Sequence, residues 1–162
     1  MPFMYSAASQ QNTNASANTD TLLADLKTAS ANAGLRAYLQ KLQCGSYVTP
    51  ADNAIRLRLN RLATVGTYAS GAALTPTPLV PDAPAAASLA STLPTLGTGT
   101  FNAVPLVQLA FNQRGTGLWA AFTADEAVGI SGSNAAANGI MVLDSQSTGT
   151  TVPVNYTMIF SE

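Results

Sequence analysis

The sequence predicts an all-β protein, an antiparallel β-sandwich, and three observations support this. Val152 to Glu162 alternates strictly, with Val154, Tyr156, Met158 and Phe160 on one face and Asn155, Thr157, Ile159 and Ser161 on the other. Asn53 to Asn60 (NAIRLRLN) does the same, setting Ile55, Leu57 and Leu59 against Arg56, Arg58 and Asn60. Further short apolar runs recur at roughly 8 to 12 residue spacing between glycine-containing turns, the spacing of a sandwich.

Residues 1–20 read as an N-terminal arm, and residues 21–162 as the single sandwich domain. The arm has an aromatic head, Pro2-Phe3-Met4-Tyr5, and a tract of Ser, Ala, Gln, Asn and Thr from Ser6 to Thr19. Such a tract buries too little apolar surface to order itself, so a neighbour would have to order it. Asp20 to Thr28 (DTLLADLKT) fits one or two helical turns, with Asp20 as cap and Leu22, Leu23 and Leu26 on one side. From Gly34 to Tyr47 two periods compete; Leu35, Tyr38, Leu39 and Leu42 fit a helix better than a strand.

Thr49-Pro50-Ala51-Asp52 is a turn leading into the NAIRLRLN strand, which with Arg61 holds three of the seven basic residues. Val65 to Gln113 contains one charge, Asp82, and six of the nine prolines, which predicts an extended segment that crosses the sandwich or lies over a neighbouring chain, with Leu74, Leu79 and Val80 as contacts. Strand signals return at Phe101 to Phe111, Leu118 to Thr123, Ala127 to Ile130, Gly139 to Asp144 and the terminal stretch.

Charged residues make up 9% of the chain, against roughly 25% in typical soluble domains. A surface so poor in charge is expected to be covered by other protein. With net charge -1 and no histidine, the chain lacks the footprint of a nucleic-acid or anionic-membrane binder. No run of about 18 apolar residues predicts a transmembrane helix, and no basic-then-apolar leader predicts a signal peptide. Cys44 is single, which excludes an intrachain disulfide and suits a reducing compartment.

Catalytic chemistry finds few candidates. Without histidine there is no Ser-His-Asp, Cys-His or histidine-metal arrangement. Cys44 lacks a cationic neighbour to make a thiolate and reads as a buried structural thiol. The adjacent Asp125 and Glu126 read as a solvated turn rather than a glycosidase pair. No cofactor or metal is expected. Trp119 and Phe122 are expected in the core.

Three stretches carry a resemblance: TPADNAIRLRLNRLATVGT (Thr49 to Thr67), LTPTPLVPDAPAAAS (Leu74 to Ser88) and LAFNQRGTGLWAAFTADEAVGISGSNAAANGIMVL (Leu109 to Leu143), closed by Ile159-Phe160-Ser161-Glu162. Together they resemble a family of small virion proteins of tailed bacteriophages, with a TPAD turn, an Asn-Gln-Arg-Ala-x-Phe-x-Trp strand and a final Phe-Glu-Glu. This chain departs from the pattern at Gly115-Thr116-Gly117-Leu118 and in its ending Phe-Ser-Glu. The resemblance covers Ala31 to Glu162 and implies that Leu35 to Tyr47 is a strand running into the turn, against its periodicity.

The fold expected is thus a jelly-roll-like antiparallel β-sandwich of about eight strands with an extended N-terminal arm. The role the resemblance implies is a capsid decoration, or cement, protein on the virion surface, made in the host cytoplasm. It would bind the major capsid protein as a homotrimer, with no nucleic acid and no membrane as partner. Expected contact residues are Phe3, Tyr5, Arg56, Arg58, Arg61, Tyr68, Leu79 and Ile159, the last because the outer row of the terminal strand is uncharged. The rival reading is a virion-attached receptor-binding or fibre-like adhesin module.

Overall fold

The structure, a computed structural model, describes residues 2–13, 21–28, 36–49, 51–64, 72–92, 100–131, 139–144 and 151–162. Strands account for most of them: β1 (Met4–Asn12), β2 (Thr21–Thr28), β3 (Arg36–Ser46), β4 (Ala54–Thr64), β5 (Ala72–Leu74), β6 (Thr77–Pro78), β7 (Ser88–Thr92), β8 (Thr100–Phe101), β9 (Val107–Asn112), β10 (Thr116–Ala120), β11 (Val128–Ser131), β12 (Ile140–Asp144) and β13 (Pro153–Ser161). One 3-10 turn spans Ala124–Glu126. No helix among the described residues is long and apolar enough to cross a membrane.

The strands form two sheets, antiparallel throughout the described pairings. The first runs β10-β3-β13-β1-β6, with β11 also on β3; the second runs β5-β7-β2-β12-β4-β8, with β9 also on β4. The expected antiparallel β-sandwich is therefore the fold, with more strands than the eight anticipated.

The two alternating strands behave as their patterns require. Val154, Tyr156, Met158 and Phe160 face Ile55, Leu57 and Leu59 across one core, joined by Leu39, Leu42, Ala24, Leu26, Ile140 and Val142. Burying a side chain of Leu or Phe size is worth about 1.5–3 kcal/mol. Cys44 sits among them, 1% exposed, where burial pushes its thiol up to about 12.

Three expectations need correction. Residues 4–12 are not a free arm: β1 pairs with β13 along its whole length and with β6 on its other side. Composition measures what a segment can bury by itself, and here the order comes from backbone pairing to the terminal strand, with Tyr5 and Ala7 turned into the core. The segment expected as helical turns is β2, because its edges are taken by β7 and β12, and Leu23, Ala24, Asp25 and Leu26 are all buried. For β3, helical periodicity misleads because a β-bulge opposite Ile159/Phe160 shifts the register, so Leu39 and Leu42 both face inward on a strand. The strand implied by the resemblance is what forms.

The proline tract is not one extended crossing: among its described residues β5, β7, β8 and β9 pair into the second sheet, and the Ala83 N–H donates to Val80 O at 3.0 Å in a turn over Pro81-Asp82. Pro78 lies in the two-residue edge strand β6, where a missing N–H is tolerated. The tract is tied at two further points: the Tyr5 hydroxyl donates to Pro84 O at 3.1 Å, and the Glu162 carboxylate accepts from the N–H groups of Ala87 and Ser88 at 2.9 and 2.7 Å.

A candidate interaction face

The two sheets differ in what lies on their outward faces. On the second sheet the outward row is closed over β2, β12 and the end of β4, where Met141, Leu143, Leu62, Asn60 and Asp25 are all buried although none lies in the inter-sheet core, and it is open beside β9, where Ala54, Gln108, Ala110 and Asn112 are exposed. This is why residues 140–143 (IMVL) read as an unbroken apolar run, as in strands buried on both faces. Burial raises the Asp25 carboxyl, while the hydrogen bond donated by Ser91 Oγ and the charge of Lys27 at 3.9 Å pull it back.

The first sheet is open. Its outward row carries Ser6, Ala8 and Gln10 on β1, Asn155, Thr157 and Ile159 on β13, Gln43 on β3, and Thr116 and Leu118 on β10. These side chains are half-buried or exposed, and only Lys41 brings a charge to the middle of the face. With strands about 4.8 Å apart and about 3.3 Å per residue, the nine-residue β1 and β13, the stretch of β3 beside them and the five-residue β10 present roughly 500 Å² in projection. That is the scale of a small interface, below the about 800 Å² of accessible surface per partner in a standard one.

The predicted contact residues distribute unevenly over this frame. Ile159 lies at the centre of the open face, half-buried, opposite Ser6 and Lys41. Phe3, 41% exposed, exchanges backbone hydrogen bonds with Glu162, and Leu79, 51% exposed, donates its N–H to Met4 O, so both flank the β1 edge of the same sheet. Tyr5 is a correction: at 2% exposure its ring stacks on Phe160 with centroids 5.6 Å apart, so it is core rather than contact.

The three arginines do not form one patch. Arg56 and Arg58 share the outward side of β4 on the second sheet, half-buried and engaged with neighbours. Arg61 has the inward parity of Ile55, Leu57 and Leu59, and its Nη1 donates to Gly129 O on the first sheet at 2.9 Å. Alternation places Arg61 opposite to Arg56 and Arg58 wherever the strand is regular. Tyr68 lies outside the described residues.

Sequence reasoning missed Phe122, which is 93% exposed rather than core. β10 ends at Ala120, and Phe122 has the outward parity of Leu118 rather than that of the half-buried Trp119, while its N–H is held by Glu126 Oε2 at 2.7 Å. The acidic turn itself, Asp125 and Glu126, is exposed as expected.

Two of the stretches behind the family resemblance meet at one corner. Gln113 Oε1 accepts from Asn53 Nδ2 at 2.9 Å and from the Ala51 N–H at 3.3 Å, and its Nε2 donates to Ser46 Oγ at 3.2 Å. Next to it Arg114 Nε donates to Asp52 Oδ1 at 2.8 Å. The TPAD turn and the Asn-Gln-Arg turn thus lock each other where β9 of one sheet passes to β10 of the other. Their spacing serves the fold at this corner.

No protein-family model matches this chain, and no curated protein matches it. Among solved structures it is similar, at 15% identity and a TM-score of 0.20, to a chain described as the 2.6 Å structure of infectious bursal virus derived T=1 particles; the match spans 99% of this chain and 40% of that one. A likeness at that score carries no argument about fold or function.

Proposed function

We propose that this protein is a capsid decoration, or cement, protein of a tailed bacteriophage, docking on the assembled head through the outward face of its first sheet. The supporting observation is the contrast between the two outer faces: one is closed over β2 and β12 and holds charged groups, the other is open and carries Lys41 as the charge in its middle. Solvated sheet faces normally carry charge, and interface cores are depleted in it. The partner is the major capsid protein, and the working unit is a homotrimer.

The mechanism is mass action. A protein that binds the assembled shell but not its separated subunits stabilises the shell by RT ln(1 + [L]/Kd), about 2.7 kcal/mol per site at a hundredfold excess over Kd. Neither catalysis nor a cofactor is part of this reading.

The test is binding of purified protein to heads stripped of it. Regular saturating occupancy with raised heat resistance of the head supports decoration. The adhesin reading has the exposed Phe122 ring in its favour as a sugar-stacking surface. It would replace decoration if only a few copies were found, confined to one vertex or to the tail.

A further inference from the structure

Two pockets share one wall, the ring of Tyr38, and they carry opposite charge. One, of about 220 Å³, is lined by Arg36, Arg61, Gly129, Ile130 and Ser131 beside Tyr38, with two guanidinium groups and no carboxylate in its lining. Among the described residues Arg36 has no hydrogen-bond or ion-pair partner, and Arg61 spends one nitrogen on Gly129 O. The other, of about 330 Å³, includes Asp125 and Glu162 beside Tyr38 and no basic residue. The Glu162 carboxylate is occupied by the N–H groups of Ala87 and Ser88, which leaves Asp125 exposed and, among the described residues, unpaired.

We propose that the Arg36–Arg61 pocket is a carboxylate-binding site and that its occupant is Asp125 of a second copy of this chain. A guanidinium presents its donors in a planar fork that matches a carboxylate, and Arg61, half-buried and without a counter-ion among the described residues, gains from receiving one. A nucleic-acid phosphate is disfavoured because the chain has net charge -1 and no lysine lines the pocket. Among the described residues Asp125 makes no ion pair with Arg36 or Arg61 of its own chain. Basic and acidic pockets on either side of one residue are self-complementary around a symmetry axis passing beside it. Each copy then gives its Asp125 to one neighbour and takes another into its Arg36–Arg61 pocket. Tyr38, 36% exposed, stands at the axis. This contact forms between copies in solution and stands whether or not the protein binds a capsid.

Sedimentation velocity on the purified full chain tests it, with circular dichroism to confirm folding. Arg36 and Asp125 are exposed and, among the described residues, unpaired, so reversing either leaves the fold intact. The wild type is expected as a closed trimer. Arg36→Glu or Asp125→Arg alone should weaken association by about tenfold or more, and the Arg36→Glu/Asp125→Arg double variant should restore most of it. A monomeric wild type, single reversals without effect, or a double variant no better than the singles would each overturn the proposal. Failure here leaves head binding untouched, which separates this contact from the decoration reading.

Discussion

The carboxylate of Glu162 holds Ser88, accepting its N–H at 2.7 Å on one oxygen while the other takes Ala87 at 2.9 Å. The chain's last residue thereby clamps the start of β7 in the second sheet from the end of β13 in the first. Replacing Glu162 by Gln keeps one acceptor but loses the charge and the second lobe, and should cost about 1–2 kcal/mol. Urea unfolding of E162Q against wild type measures it; an unchanged midpoint would mean that backbone pairing alone holds this edge.

Gly117 is fixed by contact. A Cβ there would stand 2.6 Å from two ring atoms of Phe111, where β10 of one sheet passes β9 of the other. Gly117→Ala should therefore destabilise by about 1–3 kcal/mol. Phe111→Leu in the same chain should recover part of that loss, and the double-mutant cycle reads the coupling directly.

Ile159→Lys separates folding from docking. The side chain is half-buried on the open face, so the fold should survive with a loss of about 1 kcal/mol from the lost apolar contact and from Lys41 directly opposite. Head binding, if this face docks, should fall by at least about tenfold. Unfolding of the isolated I159K chain would instead show the outer row to be internal.

Deleting residues 2–12 should unfold the chain rather than release a tether. The deletion removes β1 from between β13 and β6 and takes Tyr5 and Ala7 out of the core. Loss of the Tyr5–Phe160 stack alone, in Tyr5→Ala, should cost about 3–5 kcal/mol. A folded, soluble deletion variant by circular dichroism would restore the arm reading.

Cys44 gives a pH signature. Its folded thiol titrates near 12 instead of the ordinary value near 9, so the folded state keeps a proton that the unfolded chain gives up. That contribution is fully present below about pH 9 and is lost as pH rises from there toward about 12, by at most about 1.4 kcal/mol per pH unit. Comparing urea midpoints at pH 8 and about pH 10 for wild type and Cys44→Ala isolates it; the wild type should lose more. At pH 8 a thiol reagent should label Cys44 only at the rate of unfolding, because the side chain is 1% exposed.

What the sequence determined by itself is the β class, the inward rows of β4 and β13, the burial of Cys44 and the exposed acidic turn. Each follows from local chemistry: period-2 alternation states which side chains share a face, and a chargeless apolar neighbourhood states which face is inside. Only the tertiary structure decided that residues 4–12 are a central strand, that Thr21–Thr28 is β rather than helical, that Arg61 points away from Arg56 and Arg58, and that Phe122 leaves the core. The physical reason is that alternation fixes a face but not its neighbours. Which edges pair, and which of two outward rows is covered, depend on strands more than a hundred residues apart, such as β1 on β13. The open neutral face around Ile159 was legible as an uncharged row, but its extent across four strands, and the opposed pockets around Tyr38, exist only once those strands are side by side.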